Sequence, residues 1–405
     1  MTDKNSLTAN WNYPTAIRVG PGRIAELGAV CKASGISRPL FVTDAGLAKM
    51  PIVADALGHL AKAGLGTQVF SSIKPNPVAA NVEDGVTVYR KGGHDGVVAF
   101  GGGSALDAGK AIAFLSGQTR PIWDFEDVGD NWTRADPNGI APTIAVPTTA
   151  GTGSEVGRVS VITDEDTHTK RLIFHPRIMP MAVIADPALT VGVPPALTAA
   201  TGMDALAHCL EAYCAPGFHP MADGIAVEGM RLVRQWLPVA YRDGTDIEAR
   251  TRMLVAATMG AVAFQKGLGA IHSLSHPIGA VYGTHHGLLN AVLMPYVLAF
   301  NRPAITQKMD LLSQALGLPA LGFDGIARWI DELCHELAIP KTLAEIGVEE
   351  GKADQIARAA VVDPTASTNP VPLEEAAVRA LFIQAVQGTA ILNRGGKART
   401  SVTRS

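Results

Sequence analysis

The sequence is poor in cysteine, with four among its 405 residues, at positions 31, 209, 214 and 334. Their number is too small, and their positions are too scattered, for a disulfide framework. We therefore expect reduced thiols, as in a cytosolic protein. An excess of positive charge is also missing, because 34 Lys and Arg residues face 37 Asp and Glu residues. This balance argues against a nucleic-acid partner, whose phosphates require a basic surface.

Long apolar runs are absent as well. The run AVLMPYVLAF at 291–300 has ten residues, about half of the roughly 20 that a membrane span needs. The first ten residues, MTDKNSLTAN, are polar and no apolar stretch follows them, so we expect no signal peptide. These features predict a cytoplasmic protein without a membrane partner.

The composition is that of a folded globular protein, with 47% hydrophobic and 18% charged residues. A chain of 405 residues is long enough for two domains. Glycine and proline are frequent, at 42 and 26 residues, and follow no repeat. They indicate many tight turns rather than a collagen or a linker.

The first half alternates short apolar runs with amphipathic stretches. Strands that are apolar almost throughout and alternate with helices are typical of a parallel sheet buried on both faces. A run at 15–19 is a candidate edge strand. We expect further strands at 40–44, 67–71, 96–101, 142–147 and 182–186, with helices such as 51–64 and 79–92 between them.

After about residue 192 the apolar spacing becomes helical almost throughout. No further strand is evident in this half. The predicted fold class is therefore an α/β domain with a parallel sheet at 1–190, followed by an all-helical domain at 191–405. We expect helices at 221–241, 247–264, 287–300, 304–316, 324–337 and 374–391, and one that begins at Pro194-Pro195.

A glycine-rich turn, Gly101, Gly102 and Gly103, follows one predicted strand and opens a helix. Residues without side chains let backbone N–H groups approach an anion, and the N-terminus of a helix favours negative charge. Ser104 can cap that helix and donate to a phosphate. The usual dinucleotide fingerprint is not matched, because Leu106 stands where a third glycine belongs. A turn without a ligand is the alternative.

A second cluster of small and hydroxylated residues, 147–155, follows another predicted strand. Two such clusters at the carboxyl ends of strands suit a nucleotide crevice. The alternative for the second is an ordinary loop with a capping box from Thr152 to Glu155. Asp44 ends a further predicted strand. Its carboxylate suits ribose hydroxyls and would repel a 2′-phosphate, or else it caps a turn.

Acidic and imidazole side chains recur at helical spacing in the second half. Asp204 and His208 are four residues apart and so lie on one helical face. His272 and His276 have the same spacing, and a stretch with proline and glycine can fold the pair at 285–286 back towards them. One carboxylate with three imidazoles suits zinc, iron, manganese or cobalt better than calcium or magnesium. Histidines bonded to backbone are the alternative.

Together these motifs resemble the iron-containing (group III) alcohol dehydrogenases, which have the dehydroquinate synthase-like fold. The resemblance covers about residues 11–393. It implies a dinucleotide-binding domain at 1–190 and a metal-binding domain at 191–405. It further implies an NAD-dependent alcohol dehydrogenase with a bound ferrous ion, zinc being the competing metal. The segments that carry it are 101–104 with Asp107 and Lys110, 148–155, 202–204 with His208, and His272, His276 and His286.

The resemblance also implies roles for single residues. His276 corresponds to a histidine near the nicotinamide that binds no metal, and we expect it to relay a proton or to orient the ring. The implied metal ligands are Asp204, His208, His272 and His286, with His285 as a rival to the last.

The implied cofactor residues lie in the first half. The glycine turn would carry the pyrophosphate, Lys170 a ribose or phosphate, and Asn76 the adenosine side. Asp44 would hold the adenosine ribose, which favours NAD over NADP. The whole set is Asp44, Asn76, Gly101, Gly102, Gly103, Ser104, Asp107, Thr148, Thr149, Thr152 and Lys170.

The expected reaction is hydride transfer between an alcohol and NAD, in a homodimer or larger homo-oligomer. Lys266, six residues before His272, departs from the family pattern. We hypothesise that it pairs with the carboxylate of a hydroxy acid such as 4-hydroxybutyrate, the alternative being a solvated lysine. Other candidates are a zinc-dependent polyol (glycerol-type) dehydrogenase, a maleylacetate-reductase-like enzyme, a metal-dependent lyase on the same fold, and a non-catalytic metal-storing or nucleotide-sensing protein.

Overall fold

The computed structural model describes residue 13, residues 15–167 and residues 169–389. Its strands are β1 Ala16–Val19, β2 Pro39–Val42, β3 Val69–Phe70, β4 Gly96–Gly101, β5 Thr143–Pro147, β6 Val159–Asp164, β7 Thr169–Phe174 and β8 Ala182–Ala185. Six of them form a parallel sheet in the order β1-β8-β5-β4-β2-β3. The sheet confirms all six strands expected from the sequence, including the edge strand near 15–19.

Helices cover both faces of this sheet, as the apolar strands require. Alternate residues of β4 point to opposite faces, so Val98 and Phe100 join one core whereas Val97 and Ala99 join the other. Both faces of the strand are therefore buried, which explains its unbroken apolar sequence. The helices of this half are α1 Leu27–Ala33, α2 Pro51–Lys62, α3 Ala79–Gly92 and α4 Gly103–Leu115.

The hairpin of β6 and β7 was not expected from the sequence. The two strands pair antiparallel, with Val159 opposite Phe174 and Thr163 opposite Lys170. In β6 only every second residue is buried, most residues of β7 are only partly buried, and both strands mix polar with apolar types. The run therefore lacks the apolar continuity that marked the other strands. The hairpin packs β6 on α4 and β7 on a helix of the second half.

All regular secondary structure among the described residues of the second half is helical, which confirms the fold class. Its helices are α5 Pro195–Cys214, α6 Pro220–Arg242, α7 Ile247–Ala263, α8 Ala270–Tyr282, α9 His286–Ala315, α10 Gly322–Glu336, α11 Ala353–Val362 and α12 Glu375–Gln387. The last predicted helix ends earlier than expected, since Gly388 caps α12 in a left-handed conformation. Residues 390 and 391 of that prediction lie outside the described residues.

Helix α9 corrects one prediction, because the segments 287–300 and 304–316 form a single helix that contains Pro295 and Pro303. A proline removes one backbone hydrogen bond, but packing of a largely buried helix outweighs that loss. Helix α9 is long and apolar enough to cross a membrane by length and composition. However, 61% of its most apolar stretch is buried inside the protein, as in the core helix of a globular protein.

Helix α5 lies in the middle of the helical half, between α6, α7 and α9. Every residue from Thr198 to Cys214 is buried, which explains why the helix is apolar on all sides. The few charged and imidazole side chains on such a helix cannot reach solvent. They must instead meet partners inside the protein, and these side chains begin the candidate site.

Candidate functional site

Three polar side chains of α5 face the same way. Asp204, His208 and Glu211 follow one another at four and three residues, which places them on one face of the helix. Each is at most 5% exposed. Burial of two carboxylates and an imidazole is costly unless each finds a partner, and the partners come from α8 and α9.

The turn between α8 and α9 brings the remaining histidines back to α5. Helix α8 carries His272 and His276 and ends at Gly283, whose φ of 68° is a left-handed conformation that favours glycine. The chain reverses there, and α9 begins at His286. The expectation that this stretch folds the second histidine pair back is confirmed for His286.

Three imidazole nitrogens converge on the Oδ1 atom of Asp204. The Nε2 atoms of His208 and His286 each lie 3.7 Å from it, and that of His272 lies 3.8 Å from it. One ligand atom each from Asp204, His208 and His272 lie within 4.8 Å of one another. His285 makes no approach to Asp204 within 4 Å in the described chain, so the geometry favours His286 over its neighbour.

The donor set fits a divalent first-row metal ion, because it offers one carboxylate oxygen and three imidazole nitrogens. Burial lowers the pKa of His208 to about 4 and lowers the pKa of His286 well below its usual value. Both rings are therefore neutral near pH 7 and keep a lone pair for a metal. Burial also acts to lower the pKa of His272, but Glu211 and Asp204 outweigh it and raise that pKa. The same negative field attracts a cation.

Two side chains that sequence reasoning missed hold these ligands. Glu211 Oε2 contacts Nδ1 of His272 at 2.6 Å. The side-chain amide of Asn290, on α9, donates to Asp204 Oδ1 at 2.7 Å. Both were detectable: Glu211 continues the face of Asp204 and His208, and Asn290 follows His286 at four residues, one turn further along the same face.

His276 has a partner that sequence reasoning also missed. Its Nδ1 atom lies 2.8 Å from Oδ2 of Asp363. Oδ1 of Asp363 accepts hydrogen bonds from the backbone N–H and the hydroxyl of Thr365. Burial acts to raise the pKa of Asp363, but His276 and Thr365 outweigh it and hold that pKa below its usual value. The ring of His276 stacks on His286, with centroids 5.4 Å apart, so this carboxylate–imidazole pair adjoins the metal-ligand cluster.

The glycine turn and the 147–155 loop lie side by side in the first half. Gly101 at the end of β4 pairs with Pro147 at the end of β5. A Cβ on Gly102 would lie 3.3 Å from Oγ1 of Thr149, and one on Gly103 would lie 2.7 Å from Cγ2 of Thr152. Helix α4 begins there with Gly102 as its N-cap, and no side chain among the described residues caps its N-terminal N–H groups. The arrangement is a cradle for an anion.

Ser104 corrects one expectation. It lies inside α4 rather than at its cap, and its hydroxyl donates to the carbonyl of Pro75. It therefore ties the 75–77 turn to the start of α4. Asn76, in that turn, is exposed beside the cradle.

Asp107 holds the cradle together from the next turn of α4. Its Oδ1 accepts a hydrogen bond from the hydroxyl of Ser154 at 2.5 Å, and its Oδ2 accepts one from the N–H of Val161 at 3.2 Å. Lys110 lies 3.2 Å from the same carboxylate. Both oxygens are thus used within the protein, where they join α4 to the 147–155 loop and to β6.

Asp44 and Lys170 are two further residues expected at the cofactor, and their surroundings differ. Oδ1 of Asp44 accepts hydrogen bonds from the N–H groups of Gly46 and Leu47, both at 2.9 Å, so its turn-capping role is present. Its Oδ2 lies beside Gly101. Lys170, on β7, is partly buried, and burial lowers its pKa although Asp204, Asp107 and Asp363 oppose this. Lys170 is therefore within electrostatic reach of Asp107 on α4 and of Asp204 in the ligand cluster.

The two candidate sites adjoin each other. A Cβ on Gly151 would lie 2.8 Å from the Cβ atom of Thr201 on α5, one turn before Asp204. Glu155 accepts a hydrogen bond from Thr258 of α7 at 2.8 Å. The loop after β5 is thus packed directly against the helix that carries Asp204 and His208. Thr148, buried at 3% exposure, donates its N–H to the carbonyl of Gly101 at 3.0 Å.

The structure contradicts the hypothesis on Lys266. Its side chain is 1% exposed and forms an ion pair with Asp223 of α6. Its ammonium also donates to the carbonyl of Tyr213 at 3.3 Å, at the C-terminal end of α5. The positive charge is therefore already compensated by a carboxylate and by a helix terminus, and it is not available to a substrate.

A nucleotide-type cradle on a parallel sheet, joined to a helical half with a buried Asp-His cluster, suits a metal-dependent dehydrogenase. The model of iron-containing alcohol dehydrogenases matches residues 14–187, and that of the C-terminal part of the same family matches residues 198–386. The chain therefore belongs to the iron-containing alcohol dehydrogenase family, and it is an oxidoreductase.

Known members resemble the chain over nearly its whole length. The 4-hydroxybutyrate dehydrogenase of Cupriavidus necator is 42% identical over 386 residues, which are 92% of this chain and 99% of the relative. The NAD-dependent methanol dehydrogenase of Bacillus methanolicus is 36% identical and covers 89% of this chain and 95% of the relative. The crystal structure of a 1,3-propanediol oxidoreductase superposes with a TM-score of 0.88 at 35% identity, over 93% of this chain and all of the other.

Proposed function

We propose that this enzyme interconverts a small alcohol and its aldehyde or ketone, with NAD as the hydride carrier and a divalent metal ion held by Asp204, His208, His272 and His286. The observation that carries the proposal is the contact between the 147–155 loop and α5. It sets an anion cradle against a cluster of metal-ligand atoms, and hydride transfer needs both reactants within a few ångströms.

The cofactor is proposed to lie along the carboxyl ends of β2, β4 and β5. Its pyrophosphate would rest on the N-terminus of α4 at Gly101–Gly103, where unbonded N–H groups favour an anion. Thr148, Thr149 and Thr152 would line it. Asn76 would face the adenosine side, with Ser104 and Asp107 holding the loops around it. The second oxygen of Asp44 would accept from the ribose and repel a 2′-phosphate, so NAD is preferred to NADP.

A bound divalent ion supplies Lewis acidity, which lowers the pKa of the substrate hydroxyl. The remaining work falls to the residues of this chain. His276 takes up the proton that the hydroxyl loses, and Asp363 orients its ring through Nδ1. Lys170, within electrostatic reach of Asp107 and Asp204, would hold the ribose or a phosphate. Burial of α5 and α8 keeps water from the reacting atoms.

The metal is proposed to be ferrous iron, as in the family name, with zinc as a competitor. The four donors are nitrogens and one oxygen, with no thiolate, and this set accommodates either ion. The proposed substrate class is short alcohols and hydroxy acids, because the relatives compared above are named for 4-hydroxybutyrate, methanol and 1,3-propanediol. A carboxylate on the substrate would be bound by a group other than Lys266.

We also propose that the cofactor domain spans 1–190 and the metal-binding domain 191–405, and that the enzyme acts in the cytoplasm as a homodimer or larger homo-oligomer. Size-exclusion chromatography with light scattering tests the assembly. A mass corresponding to a monomer would contradict it.

The function is tested by NADH formation over a panel of alcohols, diols and hydroxy acids with NAD and with NADP. The enzyme is first dialysed against a chelator, then reloaded with ferrous iron under nitrogen or with zinc. We expect activity to disappear on dialysis and to return with the metal. Full activity in the metal-free protein would overturn the proposal.

A further inference from the structure

Helix α8 begins without a capping side chain of its own, because its N-cap is Gly269. The first N–H groups of a helix have no partner inside the helix, and here two distant side chains accept them. Oδ1 of Asn369 accepts the N–H of Ala270 at 3.0 Å, across 99 residues of chain. Oε1 of Glu211 accepts the N–H of Ile271 at 2.7 Å, across 60 residues. We call Asn369 and Glu211 the remote cap of α8.

The glycine at the N-cap is what lets both acceptors approach. A Cβ on Gly269 would lie 2.7 Å from Oδ1 of Asn369 and 3.0 Å from Oε1 of Glu211, so a side chain there would displace them. Asn369, Glu211 and Ala270 are all buried. Loss of an acceptor would therefore leave a buried N–H group without a partner, which is costly.

The amide of Asn369 is itself fixed to α9. Nδ2 of Asn301 donates to Oδ1 of Asn369 at 3.0 Å, and Nδ2 of Asn369 donates to Oδ1 of Asn301 at 2.8 Å. Nδ2 of Asn369 also donates to the carbonyl of Val371 at 2.7 Å. Both asparagines are buried. This reciprocal pair sets the orientation of the amide, so its oxygen faces the N–H of Ala270.

The remote cap joins the three helices that carry the proposed metal ligands. Glu211 belongs to α5, Asn301 belongs to α9, and the capped turn of α8 lies two residues before His272. The chain just before Asn369 contacts α8 a second time, where Asp363 bonds the ring of His276. None of these contacts uses an atom that would bind the metal.

From this geometry we infer that Asn369 is a positioning residue for α8. Together with Glu211 it fixes the first turn of the helix, and it thereby sets where His272 and His276 lie relative to Asp204. The inference rests on the proposed function, since it assumes that His272 binds a metal and that His276 serves the reaction. Its consequence is that a residue outside the site controls both metal affinity and kcat.

The test compares Asn369→Leu with Asn369→Asp in the full-length protein. Leucine has a similar volume to asparagine but no acceptor. Aspartate keeps an oxygen for the N–H of Ala270, and a helix N-terminus favours its charge. Zinc and cobalt(II) are titrated in competition with a chromophoric chelator. We expect the dissociation constant to rise about tenfold in Asn369→Leu, the effect of losing a group that orients a ligand, and to stay within about threefold of wild type in Asn369→Asp.

Gly269→Ala reaches the same contacts by another route, and it carries the test if Asn369→Leu does not fold. The added Cβ displaces both acceptors, so metal binding should weaken here too. Asp246→Leu is the matched control. Asp246 caps α7 by accepting the N–H of Ala249 at 2.9 Å, and α7 carries none of the proposed ligands. Its loss should lower the melting temperature and leave the metal affinity unchanged.

Kinetics at saturating metal give a second readout. Asn369→Leu should lower kcat about tenfold, because a small displacement of a catalytic group slows the reaction strongly. The KM for NAD should not change, since the glycine cradle lies in the other half of the chain. A general loss of stability would not separate kcat from KM in this way. The cobalt absorption spectrum should also shift in Asn369→Leu and return towards that of wild type in Asn369→Asp.

The outcomes separate the two proposals. If the wild type binds neither metal, the proposed metal site fails and the inference fails with it. If the wild type binds and Asn369→Leu loses no more affinity than Asp246→Leu, the metal site stands and the positioning role is overturned. Equal losses in Asn369→Leu and Asn369→Asp would also overturn it, because the oxygen that accepts from Ala270 would then not matter.

Discussion

The Oε2 atom of Glu211 lies 2.6 Å from Nδ1 of His272, and its Oε1 accepts the N–H of Ile271 at 2.7 Å. The N–H of Ile271, in the first turn of α8, therefore holds the carboxylate of Glu211, and this carboxylate holds the ring of His272. With the proton of the neutral imidazole on Nδ1, the lone pair of Nε2 faces Asp204. A carboxylate behind a metal-binding histidine both orients the ring and makes it a better ligand.

Replacing Glu211 by glutamine should weaken metal binding about 10- to 100-fold, the usual effect of losing such a partner. Glutamine keeps the shape but loses the charge that holds the proton on Nδ1. The affinity is measured by chelator competition. Glu228→Gln is the control and should leave the affinity unchanged, since Glu228 is a partly exposed residue of α6 paired with Arg231. An equal affinity in wild type and Glu211→Gln would contradict the assigned role.

His276→Gln should lower kcat by roughly 100-fold with little change in the KM for NAD, because a general base contributes about that factor. Asp363→Asn should lower kcat less. If Asp363 works through His276, the double variant should be no slower than His276→Gln alone. The measurement is a double-mutant cycle on kcat. If the losses in kcat were additive, the two residues would act independently. A rise in the KM for NAD alone would instead indicate that His276 orients the nicotinamide.

Gly103→Ala should raise the KM for NAD about tenfold, because the new Cβ would lie 2.7 Å from Cγ2 of Thr152 and force the cradle apart. Metal affinity should stay the same, since no ligand atom is displaced. Gly58→Ala is the matched control: Gly58 is also a helix glycine, and no atom lies within 4 Å of its added Cβ. Steady-state kinetics with varied NAD give the KM of both variants. An unchanged KM for NAD in Gly103→Ala would show that the cradle does not bind the cofactor.

Asp44→Asn should raise the ratio of kcat/KM for NADP to that for NAD by about tenfold. Asparagine keeps an oxygen that can accept from the N–H groups of Gly46 and Leu47, so the turn survives, but it removes the charge that repels a 2′-phosphate. Asp44→Ala also breaks the turn and should lose activity with both cofactors. A ratio that does not move in Asp44→Asn would show that the carboxylate serves the turn only.

Lys266→Met should lower the free energy of unfolding by about 1–3 kcal/mol, because it leaves Asp223 without its partner. The cost is smaller than for a fully buried pair, since the side chain of Asp223 is 34% exposed. We expect kcat/KM for a plain alcohol and for 4-hydroxybutyrate to change by the same factor. Denaturant unfolding and parallel kinetics measure the two effects, and a loss confined to the hydroxy acid would restore a substrate role for this lysine.

Much of the architecture followed from local patterns. The apolar runs of β2, β4, β5 and β8 and the helical spacing of the second half each reflect which faces of an element are buried, and a face is a property of neighbouring residues. The hairpin of β6 and β7 was not predicted from the sequence because only part of its residues are buried, which leaves no continuous apolar run. The break predicted inside α9 was wrong because the prolines gave a local signal that tertiary packing outweighs.

Residue spacing alone predicted which side chains share a helical face, because a separation of three or four residues fixes that geometry: Asp204 with His208, and His272 with His276. Which of these faces meet depends on how the helices pack in three dimensions. Glu211 and His272 are 61 residues apart, and Lys266 and Asp223 are 43 apart. Such contacts depend on how whole helices pack, and no local spacing encodes that. This is why the candidate ligands could be found from the sequence, whereas the partners of His272, His276 and Lys266 could not.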